Sequence, residues 1–189
     1  MFALALPAAL AATPATPPPT DAFDRRIALG TYVAVRGGDY RSDGLGGRVR
    51  WEPGVGVGLD LYLEAAVVQV DGGGFRHDYP NGFNVFVPMR LGPVRARAFA
   101  GFCDILSFVE PAQPGAPRAD DVLIGAHVGL GAEWAITPAW SLFVEGQTDL
   151  YAGHDRSSGG WTGDVAEDLL PFWTGQVNAG VQVHLADLR

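Results

Sequence analysis

Residues 122–151 read VLIGAHVGLGAEWAITPAWSLFVEGQTDLY, and the spacing of their apolar side chains decides the fold. From Val122 to Ile136 every second residue is apolar: Val122, Ile124, Ala126, Val128, Leu130, Ala132, Trp134, Ile136. The residues between them, Leu123, Gly125, His127, Gly129, Gly131, Glu133 and Ala135, are mostly small or polar. A period of two means an extended strand with one apolar face and one polar or crowded face. Thr137-Pro138 interrupts the pattern, and proline has no N–H for a ladder, so a turn belongs there. Alternation resumes at Trp140, Leu142 and Val144, with Ser141, Glu145, Gln147 and Asp149 on the other face. The segment is a long antiparallel hairpin.

The same unit recurs along the chain. A first strand runs from Arg26 to Arg36, followed by a polar loop, 37–44. A short second strand sets Val49 and Trp51 against Arg48, Arg50 and Glu52, and Pro53-Gly54 makes a tight turn. The third strand alternates Val55, Val57, Leu59, Leu61, Leu63, Ala65 and Val67 with Gly56, Gly58, Asp60, Tyr62, Glu64 and Ala66. Residues 71–82, DGGGFRHDYPNG, read as a second polar loop. A fourth strand carries Phe83, Val85, Val87, Met89 and Leu91 opposite Asn84, Phe86, Pro88 and Arg90, and Gly92-Pro93 turns into a fifth with Arg95, Arg97 and Cys103 on its polar side. Two more long connections are expected, 104–121 and 153–172, and Trp173 to Leu185 forms the eighth strand. Eight strands joined by long loops and tight turns in strict rotation predict an all-β, antiparallel up-and-down barrel, which removes the two edges an open sheet would expose.

Composition narrows the function. The chain has 189 residues and a formal net charge of -8, so nucleic acid is not expected as a partner. No charge-free apolar run reaches the roughly 18 residues of a membrane helix. One cysteine excludes an internal disulfide framework. Residues 1–20, MFALALPAALAATPATPPPT, resemble the apolar core of a secretory signal with a Pro/Thr-rich linker, although the positively charged leading region is missing; residues 21–189 are expected to form the barrel domain.

Alternation alone leaves open which face points outward. The polar face carries Arg48, Arg50, Glu52, Asp60, Glu64, Arg90, Arg95, Arg97, His127, Glu133, Glu145 and Asp149, both signs in near balance, which can interlock inside a narrow barrel or face water on a soluble one. On the apolar face Trp51, Trp134 and Trp140 flank tight turns, while Phe83 and Trp173 open strands beside long loops, with Tyr40 and Tyr79 nearby. Two aromatic girdles around an aliphatic stripe favour a lipid-facing exterior. In a soluble barrel of the lipocalin kind the same tryptophans would plug an apolar interior that binds a small ligand.

The eight-strand rotation, the hairpin GAEWAITPAWSLFVEGQ and the closing VNAGVQVHL resemble the small bacterial outer-membrane β-barrel proteins of the OmpA/OmpX type, over roughly Arg26 to Leu185. The resemblance implies export to the outer membrane, lipid as the partner, tight turns on the periplasmic side, and long loops displayed to an extracellular partner. Such chains commonly end in an aromatic residue; this one ends Leu185-Ala186-Asp187-Leu188-Arg189. A monomeric structural or surface-interaction protein is expected, not an enzyme. His127 with Glu133 and Glu145 has the composition of a general base site, yet the same residues suit a satisfied lumen network. Lipid A deacylases of similar fold use a His-x-Ser pair, and here Val128-Gly129 follows His127. The His154-Asp155-Arg156-Ser157-Ser158 cluster reads as a solvated loop. Cys103 reads as a buried inert thiol. No catalytic residue, metal or cofactor is expected.

Overall fold

Each strand pairs with its sequence neighbour, and the last closes on the first. The computed structural model describes residues 26–38, 41–69, 74–111, 119–153 and 172–185, with β1 (Arg26–Gly38), β2 (Ser42–Glu52), β3 (Gly58–Gln69), β4 (Gly74–Leu91), β5 (Val94–Pro111), β6 (Ala119–Ala135), β7 (Trp140–Gly153) and β8 (Phe172–Leu185). They form a closed antiparallel barrel in the order β1 to β8. No helix among the described residues is long and apolar enough to cross a membrane, which says nothing of strands.

Register fixes the shape. A circuit from Ile27 passes through Trp51, Leu59, Val85, Ala100, Val128, Thr148 and Gly175 and re-enters β1 at Gly37, ten residues further along. Ten residues of stagger at about 3.3 Å each, against eight strand spacings of about 4.8 Å, tilt the strands by about 40°. The backbone cylinder then has a radius of about 8 Å, room for side chains and little else. Each residue adds about 2.5 Å of height along the axis at this tilt.

The inward face is made compatible with so narrow a cylinder by pairing rings with glycines. Tyr32 sits in register with Gly46, Phe86 with Gly58, Phe99 with Gly129 and Tyr151 with Gly125. A Cβ on Gly46 would lie 2.1 Å from the Tyr32 ring, and one on Gly58 would lie 2.1 Å from the Phe86 ring. The glycines alternating along β6 thus make room for rings from β5 and β7. At the β4–β5 turn Gly92 adopts φ +62, a backbone state that glycine reaches without strain.

The strands are longer than their alternation suggested. Gly37 and Gly38 belong to β1 and residues 42–44 to β2. Residues 74–82 belong to β4, residues 104–111 to β5, and β6 starts at Ala119, so most of two expected loops is sheet. At the other end Val55 and Val57 lie in the β2–β3 turn, with Gly54 and Gly56 at positive φ, rather than in β3. The Pro80-Asn81-Gly82 signal fails to end β4. The β3–β4 ladder is interrupted between the Leu63–Asn81 and Ala66–Asp78 pairs, while pairing to β5 continues through Pro80–Ile105. A residue without an N–H fits such a gap.

Phe83 is consequently in the middle of β4, paired with Leu61 and Phe102, and not at a strand start. It takes no part in the upper girdle. That level is marked by Trp173, paired with Leu150, and by Tyr79. Following the register places Trp173 and Tyr79 about 25 Å above Trp134, Trp140 and Trp51, which ring the tight-turn end. Above Trp173, β4, β5 and β6 continue for about 10–13 Å, roughly 6–9 Å beyond the described ends of β3 and β7. Tyr40, the 1–20 segment and the His154–Ser158 cluster lie outside the described residues.

Candidate functional site: a charged lumen inside an apolar band

Between the two aromatic levels the exterior is mostly aliphatic, with Thr31 and Thr148 among the outward residues and the hydrogen-bonded Asn81–Asp104 pair near the upper rim. Leu45, Leu61, Leu130 and Val128 are each about 60% exposed, while the residues adjacent to them in sequence point inward. Water would impose a large penalty on an apolar belt of this extent, and monomeric soluble proteins rarely expose one. A band about 25 Å tall bounded by aromatic rings matches the hydrocarbon layer of a membrane.

The interior holds the charges. Arg48, Arg50, Glu52, Asp60, Glu64, Arg97, His127, Glu133, Glu145 and Asp149 are all buried, and Arg95 is partly so. Arg90 differs: it sits at the turn end of β4 and its side chain is exposed. In the lower half, three guanidinium groups face three carboxylates. Arg48 forks onto Glu145, Nη1 donating to Oε1 at 2.7 Å and Nη2 to Oε2 at 2.6 Å. Arg50 donates to Glu133 at 3.2 Å, to Asp60 at 3.1 Å and to Gln182 at 3.0 Å. Arg97 pairs with Glu145 and approaches Glu133 at 3.7 Å. The planar forks also lie against rings, Arg48 4.6 Å from the Phe143 centroid and Arg50 5.3 Å from that of Phe86. Guanidinium is the cation suited to this setting because it is planar, bidentate and weakly hydrated. At the turn end Arg95 pairs with Glu52, and His184 approaches Glu133 at 3.1 Å.

A second network occupies the upper half. Arg36 donates to Ser42 at 2.8 Å and to Gln176 at 2.5 Å, and lies 3.5 Å from Glu64. Thr174 and Gln147 both donate to Asp149, at 3.1 and 2.7 Å. Near the loop end Arg76 lies 3.1 Å from Asp78, which also accepts from Ser107 at 2.6 Å. Sequence alternation singles out neither Arg36 nor the trio Arg76, Asp78 and Ser107. The first stands at the very end of the expected first strand, and the others fall in segments whose glycine, proline and polar content imitates a loop. The parity of Arg76 and Asp78 with Asn84 is the signal that places them inside.

Chemically, opposite charges at these separations neutralise one another in pairs. Together with the rings packed against glycines, the two networks occupy the interior of the cylinder.

The sequence matches no protein-family model and no curated protein. Solved structures do match. A major outer membrane protein from Thermus thermophilus superposes with a TM-score of 0.65 at 15% identity, over 85% of this chain and 99% of that one. Neisserial surface protein A gives 0.59 at 14%, over 84% and 96%. Ail, the attachment invasion locus protein of Yersinia pestis, in complex with the heparin analogue sucrose octasulfate, gives 0.51 at 10%, over 86% and 98%. At such identities a likeness establishes architecture, and the architecture is plain: the chain folds as the closed eight-stranded barrel of these small bacterial outer-membrane proteins.

Proposed function

We propose that the protein is exported to a bacterial outer membrane, where its barrel is a non-catalytic anchor and its projecting end is a surface for interaction. One observation carries this reading: an exposed aliphatic band about 25 Å tall, ringed by tryptophans, encloses an ion-paired interior. The lipocalin-like alternative needs the reverse, an apolar cavity inside and polar side chains outside. Mutual pairing of the lumen charges supports a plug rather than an active site or a wide pore. Closure of the sheet leaves no strand edge for association, which favours a monomer. The extra height of β4, β5 and β6 lifts the exposed ring of Phe75 above the band and puts Tyr79 edge-on to Phe108, at 5.8 Å, near the band's upper rim. Aromatic groups raised on a rigid ladder suit contact with a partner outside the cell. Ail, which has this fold, was solved with a heparin analogue bound; the net charge of -8 here favours a partner that is not polyanionic.

Cell fractionation tests the reading. The protein should pellet with the outer membrane and, in detergent, migrate differently before and after boiling, because a closed ladder survives unheated detergent. Recovery in the soluble periplasmic or secreted fraction, with a single mobility, would refute it.

A further inference from the structure

The register brings three metal-ligating side chains from three strands to one level of the upper lumen. His127 on β6 is paired with Asp149 on β7, and Cys103 on β5 lies two residues beyond Gly101, the partner of His127. The thiol, an imidazole nitrogen and a carboxylate oxygen lie within 4.8 Å of one another, and all three residues are buried.

Two further observations point to a cation between them. The first is the tautomer of His127. Its Nε2 meets Asn84 Oδ1, and an amide oxygen only accepts, so in the neutral imidazole Nε2 carries the hydrogen and Nδ1 presents its lone pair. That Nδ1 is fully buried, has no hydrogen bond, and faces Asp149 Oδ1 at 3.9 Å. A lone pair opposed to a carboxylate in a dry layer is repulsive unless something positive sits between. A carbonyl oxygen fixing the far nitrogen of a ligating histidine is also the usual support for a metal ligand. The second is charge. Asp149 is held by Gln147 and Thr174, and no guanidinium lies within ion-pair distance of it among the described residues, so its carboxylate faces the imidazole without a cation in contact.

We propose that Cys103, His127 and Asp149 form a binding site for a divalent transition-metal ion of the zinc class. Sulfur, nitrogen and oxygen donors together select such an ion over calcium or magnesium. Thiolate and carboxylate would neutralise its charge, which a buried site requires. With the donors already within 4.8 Å of one another, small side-chain rotations would take them toward the bond lengths of zinc, about 2.0–2.3 Å, with the fourth position open. The apolar cluster of Ile105, Leu123 and Tyr151 beside Cys103 roofs the site on the loop side, so the ion enters as the barrel closes. Each ligand sits on a different strand, with no sequence spacing that would announce it. This inference concerns the lumen alone and holds wherever the barrel resides.

The full chain folded in detergent with Co2+ present should retain one equivalent of the ion and show thiolate-to-cobalt charge-transfer absorption in the near ultraviolet. Cys103→Ser should abolish that absorption, and Asn84→Ala, which touches no donor, should weaken affinity by roughly ten- to a hundredfold. X-ray absorption of the zinc-loaded wild-type protein needs no variant, and should show one sulfur at about 2.3 Å. Failure to retain Co2+, retention without the charge-transfer band, or a zinc shell without sulfur would each overturn the proposal.

Discussion

Glu145→Ala should lower the unfolding free energy of the barrel by about 3–5 kcal/mol, the range for breaking a buried pair and leaving its partner charged. Glu145 accepts both arms of Arg48, pairs with Arg97 and lies 3.6 Å from Arg50. Without it, three guanidinium groups share Asp60 and Glu133 in a cylinder that water cannot flood. Urea unfolding in detergent or lipid, followed by tryptophan emission, reads the loss. The combined change Glu145→Ala with Arg97→Leu restores the balance of charge, and the two should couple favourably by about 1 kcal/mol or more. If Glu145→Ala costs no more than a surface substitution, the lumen network contributes nothing to stability and the charges are solvated.

Leu61→Arg probes the opposite face. Leu61 is 59% exposed, near mid-height of the apolar band and in register with Val49 and Phe83. In a bilayer a charge at that depth costs about 2–4 kcal/mol, falling to about 0–1 kcal/mol near the interfaces. Leu91→Arg, equally exposed but below the tryptophan level at the β4–β5 turn, should therefore be nearly neutral. Folding yield into vesicles and urea midpoints compare the two. In water both leucines would be improved by charge, so equal and small effects would contradict a lipid-facing exterior.

How much of this is readable in the sequence depends on what lies outside each stretch of sheet. Where lipid surrounds the strands, outward residues must be apolar, and the period of two is clean: Val122 to Ile136 and Leu59 to Val67 identify barrel and strand order unaided. Toward the upper rim and beyond it, nothing forces Asp104 or His77 to be apolar, so the alternation lapses although the ladder continues. Glycine and proline add to the error. In 74–82 they mimic a turn and make Phe83 look like a strand start, whereas Pro80 merely interrupts one ladder. Which charge pairs with which is not legible, because Arg48 and Glu145 stand 97 residues apart and meet only across the closed lumen. The same holds for Cys103, His127 and Asp149. Parity puts each inside, but only register puts them at one height.

The odd-numbered face of β3 meets lipid in this fold, and nitroxide scanning along residues 58–69 tests that placement most directly. Single cysteines, in a Cys103→Ser background that retains the boiling-dependent gel shift, would be spin-labelled and reconstituted in vesicles. Labels at Leu59, Leu61, Leu63, Ala65 and Val67 should collide readily with oxygen dissolved in the bilayer and little with a water-soluble nickel chelate. Labels at Asp60, Tyr62, Glu64 and Ala66 should be shielded from both, giving an oscillation with a period of two. Strong collision of the odd positions with the chelate would contradict the account, because it would put water where the structure requires lipid.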